Sequence, residues 1–439
     1  MTDQIDTDLA NDGMPKIKIR GGNPLNGEIT ISGAKNAALK LVCAGLLTDQ
    51  ELKLSNVPTS LRDMTTLADL LRYLGAEVDM DDNAKTMSIR AVGGVDKTLA
   101  PYDLVRKMRA SILVLGPMLA RHGQAKVSLP GGCAIGSRPV DLHLMGLEAM
   151  GADIKIEDGY VIATAPKGGL NGANILFPKV SVGATEHLLM TATLANGTTT
   201  LSNAAMEPEI TDLAECLVKM GAYIEGIGTN KLVIHGVEKL KGAEHSVIPD
   251  RIETGTFMIA AALTGGDVTL TNTRAGTLDS VIALLKKAGV DVTVQGDKIR
   301  VKRAGDLKSL RGIDIMTEPY PGFPTDMQAQ AMAMLALCDG AGMVTETIFE
   351  NRFMHVPELV RMGANITVHG NSAIVRGVDS LRGAQVMATD LRASVALVIA
   401  GLCASEGETT VNRIYHLERG YEDIAGKLSA VGADIKREK

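Results

Sequence analysis

"LEAMGADI", residues 147–154, joins the end of an apolar-faced helix to a glycine and then to an alternating strand. Five other stretches repeat it: "LRYLGAEV" (71–78), "LVKMGAYI" (217–224), "LKKAGVDV" (285–292), "LVRMGANI" (359–366) and "LSAVGADI" (428–435). Their glycines fall 68 to 76 residues apart. Glycine suits this place because it closes a helix in the left-handed conformation at no steric cost. The alternation after it reads as a half-buried strand. The chain is therefore organised as six copies of one strand-and-helix unit.

A second signature precedes several copies: "LNGEITISGA" at Leu25, "LNGANI" at Leu170, "LKGAEH" at Leu240, "LRGIDI" at Leu310 and "LRGAQV" at Leu381. Helix-period runs follow, among them "NAALKLVCAGLL", "ETGTFMIAAALTGG" and "RASVALVIAGLC". Each run ends in a hairpin-like strand such as "NGTTTLSNA", "GGDVTLTNT" or "EGETTVNRI". The fold class is mixed α/β (α+β). Periodicity alone leaves open one ring of six units or two domains of three.

Composition sets the kind of core and the kind of partner. In 439 residues, hydrophobic side chains make up 45% and aromatics 3%, with no Trp and 21 Met, so aliphatic helix-on-sheet packing is expected. Forty-five basic against 51 acidic residues leave a net charge of −6, which argues against nucleic acid or an anionic membrane as partner. No apolar run approaches the roughly 20 residues of a membrane span. The acidic start "MTDQIDTDLANDGMPK" lacks the basic and apolar regions of a signal peptide. Five scattered cysteines suit a reducing compartment, so a soluble, cytoplasmic protein is expected. Cys43, Cys216, Cys338 and Cys403 sit in apolar helical contexts and read as small core residues.

Chemistry should lie where the six copies differ. Lys35 and Asn36, in "ISGAKNAALK", open a helix, and a lysine at that end either lies on the surface or meets an anion. Arg106, Lys107 and Arg109 precede an apolar helix, with Arg109 the one expected to point inward. In "LPGGCAIGSRPVDLH", Cys133 stands among turn-forming glycines five residues before Arg138, either as a loop cysteine or as a thiol activated by nearby positive charge. Pro139 then opens a helix. In "EPYPGFPTDMQAQAMAMLALC", Asp326 precedes a long apolar helix, as its N-cap or as a positioned general base. Glu350 with Arg352, Asp390 with Arg392, and Arg419 with Glu422 complete the charged set; singly each reads as a structural pair. No nucleotide-binding glycine loop, HExxH or GxSxG occurs.

These stretches, with "KVSVGAT", "PDRIETGTF", "FENRFMHVPEL", "ATDLRAS" and "RGYE", closely resemble the UDP-N-acetylglucosamine enolpyruvyl transferases from about residue 16 to the end. The resemblance implies two inverted-barrel domains of three units each: residues 35–248, and residues 249–439 joined by the returning N-terminal segment 1–34. It implies that Lys35, Asn36, Arg392 and Arg419 hold phosphoenolpyruvate. Arg109, Arg138, Pro139, Val140, Asp141, Leu142, Lys179, Val180, Ser181 and Val182 would line the UDP-N-acetylglucosamine site, with Asp326 and Ile348 closing it. Cys133 would be the general acid and the target of fosfomycin, on a loop that closes over substrate. Asp326 suits the base, and Lys35 and Arg419 complete the catalytic set. No metal or other cofactor is implied, because Lys35 and the arginines can balance the substrate charge. The alternatives are a 3-phosphoshikimate enolpyruvyl transferase, against which the Cys133 loop and "RPVDLH" speak, and a non-catalytic sugar-nucleotide-binding relative. Met206 departs from the family pattern, which commonly has a basic residue there.

Overall fold

In the six repeated motifs the glycines adopt the backbone that other residues avoid, with φ of 100° at Gly75, 94° at Gly151, 102° at Gly221, 98° at Gly289, 101° at Gly363 and 104° at Gly432. The computed structural model describes residues 14–92, 98–105, 108–129, 140–303 and 305–438. Each glycine ends a helix and releases a strand that lies at the edge of a four-stranded sheet, as Asp153–Glu157 does after the helix Asp141–Ala149.

Six such sheets occur among the described residues, all with one topology. In the sheet with spatial order Leu99–Ala100, Gln124–Ser128, Tyr160–Thr164, Asp153–Glu157, the first pair is parallel and the other two are antiparallel. The second signature supplies the parallel edge strand: "LNGEI" becomes Asn26–Thr30, "LNGANI" leads to Asn174–Leu176, and "LKGAEH" contains Ala243–Ser246. "LRGIDI" and "LRGAQV" lead likewise to Ile315–Met316 and Gln385–Met387. Its glycine is required by close approach. A Cβ at Gly172, Gly242 or Gly312 would lie 2.2, 2.4 or 2.3 Å from a neighbouring backbone atom.

The chain divides into two compact units, one of residues 32–251 with 318–322, the other of residues 1–31, 252–317 and 323–439. Three sheets belong to each. In the first unit, Ala243–Ser246 runs back to pair with Leu52–Ser55 and completes the sheet begun some 190 residues earlier. In the second, N-terminal strands complete two sheets: Lys16–Arg20 lies between Thr409–Asn412 and Asp434–Glu438, and Asn26–Thr30 pairs with Asp267–Thr271. Each unit has its own aliphatic core.

A helix buried on all sides belongs at the centre of such a unit, and the apolar runs go there. In the second unit the helices Arg251–Thr264, Gln328–Leu335 and Leu391–Leu402 are almost wholly buried, and the last two pack together. The helix expected after Asp326 is shorter than its apolar run: it ends at Leu335, although Ala336, Leu337 and Cys338 stay buried. Cys43, Cys216 and Cys338 are core residues as expected, whereas Cys403 caps its helix and is only half-buried. Burial pushes all four thiols up to about 12. No helix among the described residues is long and apolar enough to cross a membrane.

Candidate active site

The first unit brings several helix starts into use. Lys35 is the first residue of the helix Lys35–Ala44, whose N-terminus has no side-chain cap and no acidic residue in its first turn. Its backbone N–H groups and the ammonium thus add positive charge at one place. Lys35 is not on the surface. It is buried, and Nζ donates to Asp63 Oδ2 at 3.1 Å; Asp63 is itself buried in the first turn of the helix Arg62–Tyr73. Asn36, beside it, is half-buried.

Arg109 begins the 3-10 helix Arg109–Val114, which packs against the Lys35 helix and leads into Leu115–His122. The helix expected from Pro139 begins at Asp141, after Val140. Asp141 is exposed, while Val140 and Leu142 are buried. Lys179 and Val180 are exposed, and Ser181 caps the helix Val182–Ala192 by accepting from Ala184 N at 3.3 Å. His143 links these parts: its ring lies 5.0 Å from that of His187, and burial followed by the Arg109 cation pushes it down to about 4. His187 Nε2 accepts from Gly116 N at 2.7 Å, and burial holds that ring well below its usual value. Both rings are thus held neutral, with the Arg109 cation acting on His143. Arg106, Lys107, Cys133, Arg138 and Pro139 lie outside the described residues.

The second unit presents an arginine-bound carboxylate. Asp326 lies in the short 3-10 helix Thr325–Met327, but not at a cap position. Pro324 and Met327 hold the cap positions of that turn and of the next helix. Instead Asp326 Oδ1 accepts from Arg352 Nη2 at 2.8 Å and Oδ2 from Arg392 Nε at 3.2 Å. Both guanidinium groups are 4% exposed in their side chains and Asp326 is 28% exposed, so the open side of the cluster is the carboxylate. Arg352 Nη1 is buried without a hydrogen-bond partner among the described residues. Asp390, paired with Arg392 in the sequence reading, is a helix cap, accepting from Arg392 N at 2.7 Å and Ala393 N at 2.9 Å.

Arg419 ends the 3-10 helix Leu417–Arg419 beside the start of the Leu391–Leu402 helix, where Gly420 abuts Leu391. His416 is held below its usual value by burial and then by Arg419. Ile348 is half-buried, its N–H given to Glu346 Oε1 at 2.8 Å, while Glu350 is exposed. Sequence reasoning missed Asp63, because an acidic residue in the first turn of an amphipathic helix is ordinary. It saw Arg352 only as one of several charged residues. The adjacent "ENRF" and "TDM" gave no sign that the two would meet.

The first unit thus holds an ammonium at a helix start without a side-chain cap, and the second a carboxylate fixed between two arginines. The EPSP synthase (3-phosphoshikimate 1-carboxyvinyltransferase) family matches residues 19–428. A UDP-N-acetylglucosamine 1-carboxyvinyltransferase from Rhodospirillum centenum is 62% identical, the match covering 97% of this chain and 99% of that one. One of the same name from Acidiphilium cryptum is also 62% identical, with the same coverage. Among solved structures, the enolpyruvyl transferase NikO from Streptomyces tendae matches with a TM-score of 0.87 at 28% identity, covering 97% of this chain and 99% of that one. EPSP synthase from Acinetobacter baumannii shares the fold, with a TM-score of 0.73 at 21% identity and coverage of 97% and 100%.

Proposed function

The chain belongs to the EPSP synthase family and, within it, to the UDP-N-acetylglucosamine 1-carboxyvinyltransferases, and from that premise we propose which of its residues carry the reaction. It transfers the enolpyruvyl group of phosphoenolpyruvate to the 3-hydroxyl of UDP-N-acetylglucosamine with release of phosphate, the first committed step of peptidoglycan synthesis. The observation that carries this is identity of about 60% along nearly the whole length, which favours this activity over 3-phosphoshikimate transfer. We place the reaction in the cytoplasm.

Phosphoenolpyruvate brings a phosphate and a carboxylate. Lys35 with the uncapped helix start, Asn36 and Arg419 suit the one, and Arg392 beside Arg352 suits the other. The nucleotide sugar takes Arg109, Arg138, Pro139, Val140, Asp141, Leu142, and the Lys179, Val180, Ser181, Val182 turn, with Ile348 against it. In the addition step the sugar oxygen bonds to the central carbon of phosphoenolpyruvate. Its proton goes to Asp326, and the methylene carbon takes a proton from the Cys133 thiol. In the elimination step a proton leaves the new methyl group for the thiolate that addition leaves at Cys133, the double bond re-forms, the carbon–oxygen bond to phosphate breaks, and the departing phosphate takes the proton held by Asp326. The two guanidinium groups fix the direction of the Asp326 carboxylate, and direction is the main demand on a general base.

Calorimetric binding of UDP-N-acetylglucosamine beside phosphate release tests these roles. Cys133→Ala and Asp326→Asn are expected to bind the sugar nucleotide and lose turnover; turnover retained by either variant overturns that residue's role.

A further inference from the structure

A buried ion pair joins the two helices whose starts carry the proposed substrate contacts. Lys40 Nζ, in the helix Lys35–Ala44, lies 3.3 Å from Glu186 Oε2 in the helix Val182–Ala192. The Glu186 side chain is 0% exposed and that of Lys40 is 11%. Neither Glu186 oxygen has an aligned hydrogen bond among the described residues, so its one close charged contact is this ion pair. Such a group is expensive to bury, and removing one partner of the pair leaves an uncompensated charge.

Helical spacing says what it serves. Residues four apart share a face, so Asn36 lies one turn before Lys40 and Val182 one turn before Glu186. Tying Lys40 to Glu186 fixes how both helices are rotated about their axes. That rotation decides where Asn36 and Val182 are aimed.

We propose that Lys40 and Glu186 are positioning residues for the transfer, their ion pair setting the helix rotation that aims Asn36 and Val182 at the two substrates. The inference rests on the reading of those helix starts as substrate contacts. The surroundings make the strap responsive to pH. Burial, opposed by Lys40 and reinforced by Glu209 and Glu207, pushes the Glu186 carboxyl up to about 7. The groups around it are Lys40 and Cys43 on its partner helix and Glu207 and Glu209 at the start of Pro208–Lys219. Cys43 stays a thiol, and Glu209 is already bound to Arg251 at 2.9 Å. His143 of the Asp141 helix meets the next residue, His187. On Leu115–His122, Arg121 donates to the carbonyls of Leu46, Thr48 and Ala91. On the neighbouring strands Lys231 is exposed and His235 pairs with Glu225. Above about pH 7 the carboxylate is ionised and the strap is engaged; below it the strap slackens.

The test is calorimetric affinity for UDP-N-acetylglucosamine at about pH 6 and about pH 8, where the sugar nucleotide does not titrate; KM for phosphoenolpyruvate, whose phosphate titrates at about pH 6, is compared between wild type and variant at one pH at a time. Wild-type affinity should tighten roughly three- to tenfold between the two, while Glu186→Gln matches wild type at the lower pH and fails to tighten at the higher. Lys40→Gln should be equally flat, and the double variant no worse than either single one, as one shared interaction requires. Should the single variants fold poorly, Lys40→Met/Glu186→Leu keeps the packing without charge and should also be flat. Wild type and Glu186→Gln tracking each other across this range overturn the proposal. Asn36→Ala and Lys179→Ala serve as separate controls: if neither weakens its substrate, the assignment of the helix starts fails instead.

Discussion

Lys35 Nζ stands 3.1 Å from Asp63 Oδ2, with the two side chains 10% and 4% exposed. A cation at the positive end of a helix dipole is disfavoured, and Asp63 offsets it. Lys35→Ala is expected to cost about a hundredfold or more in kcat/KM for phosphoenolpyruvate, the scale of losing a charge that meets the reacting group. Asp63→Asn, which keeps shape but removes the counter-charge, should raise that KM while affinity for the sugar nucleotide holds. Steady-state phosphate release reads both; an unchanged KM in Asp63→Asn contradicts the positioning role.

Asp326 depends on two arginines for its direction. Arg352→Ala removes the contact to Oδ1, and kcat should fall tenfold to roughly a hundredfold, the cost of misplacing a reacting group by about 1 Å. Binding of UDP-N-acetylglucosamine should change little. A normal kcat would mean that Arg392 alone holds the carboxylate.

These two clusters also show where sequence reading reaches its limit. The repeated glycines and the alternating strands after them were legible because cap conformation and strand burial are set by neighbours a few residues away. The closing of sheets was not. Lys16–Arg20 pairs with strands near residues 410 and 436, and nothing in "KIKIR" encodes that distance. Asp326 could be read as a cap because helix starts favour such residues, but Arg352 and Arg392 compete for both oxygens and win with charge. Asp63 stayed hidden since its helix explains it without Lys35. Of the candidate residues, Cys133, Arg138 and Pro139 rest on the family pattern.

Acid should weaken the first unit through its neutral histidines. His143 is held at about 4, whereas an unfolded chain protonates histidine near 6.5, so between these values the unfolded state binds more protons. Stability contributed by the neutral ring is therefore full above about pH 6.5 and shrinks as pH falls, by on the order of 3 kcal/mol near pH 4. His143→Gln removes this proton uptake. Its melting temperature should fall less than that of wild type between about pH 7 and pH 5. Parallel declines would show that His143 is not held neutral.

The close-approach glycines predict a contrast in stability. A Cβ at Gly312 would lie 2.3 Å from Ala341 O, whereas one at Gly276 would meet nothing within 4 Å. Gly312→Ala should cost about 2 kcal/mol or more, as overpacking against backbone does. Gly276→Ala should be close to neutral. Equal melting temperatures for the two variants would refute the packing argument for the second signature.

The most direct measurement is inorganic phosphate release from phosphoenolpyruvate by the wild-type protein, offered UDP-N-acetylglucosamine, shikimate 3-phosphate or neither acceptor. Release with the sugar nucleotide only, abolished in Cys133→Ala, is the expected result. Release with shikimate 3-phosphate, or none with UDP-N-acetylglucosamine, would contradict the assignment of substrate.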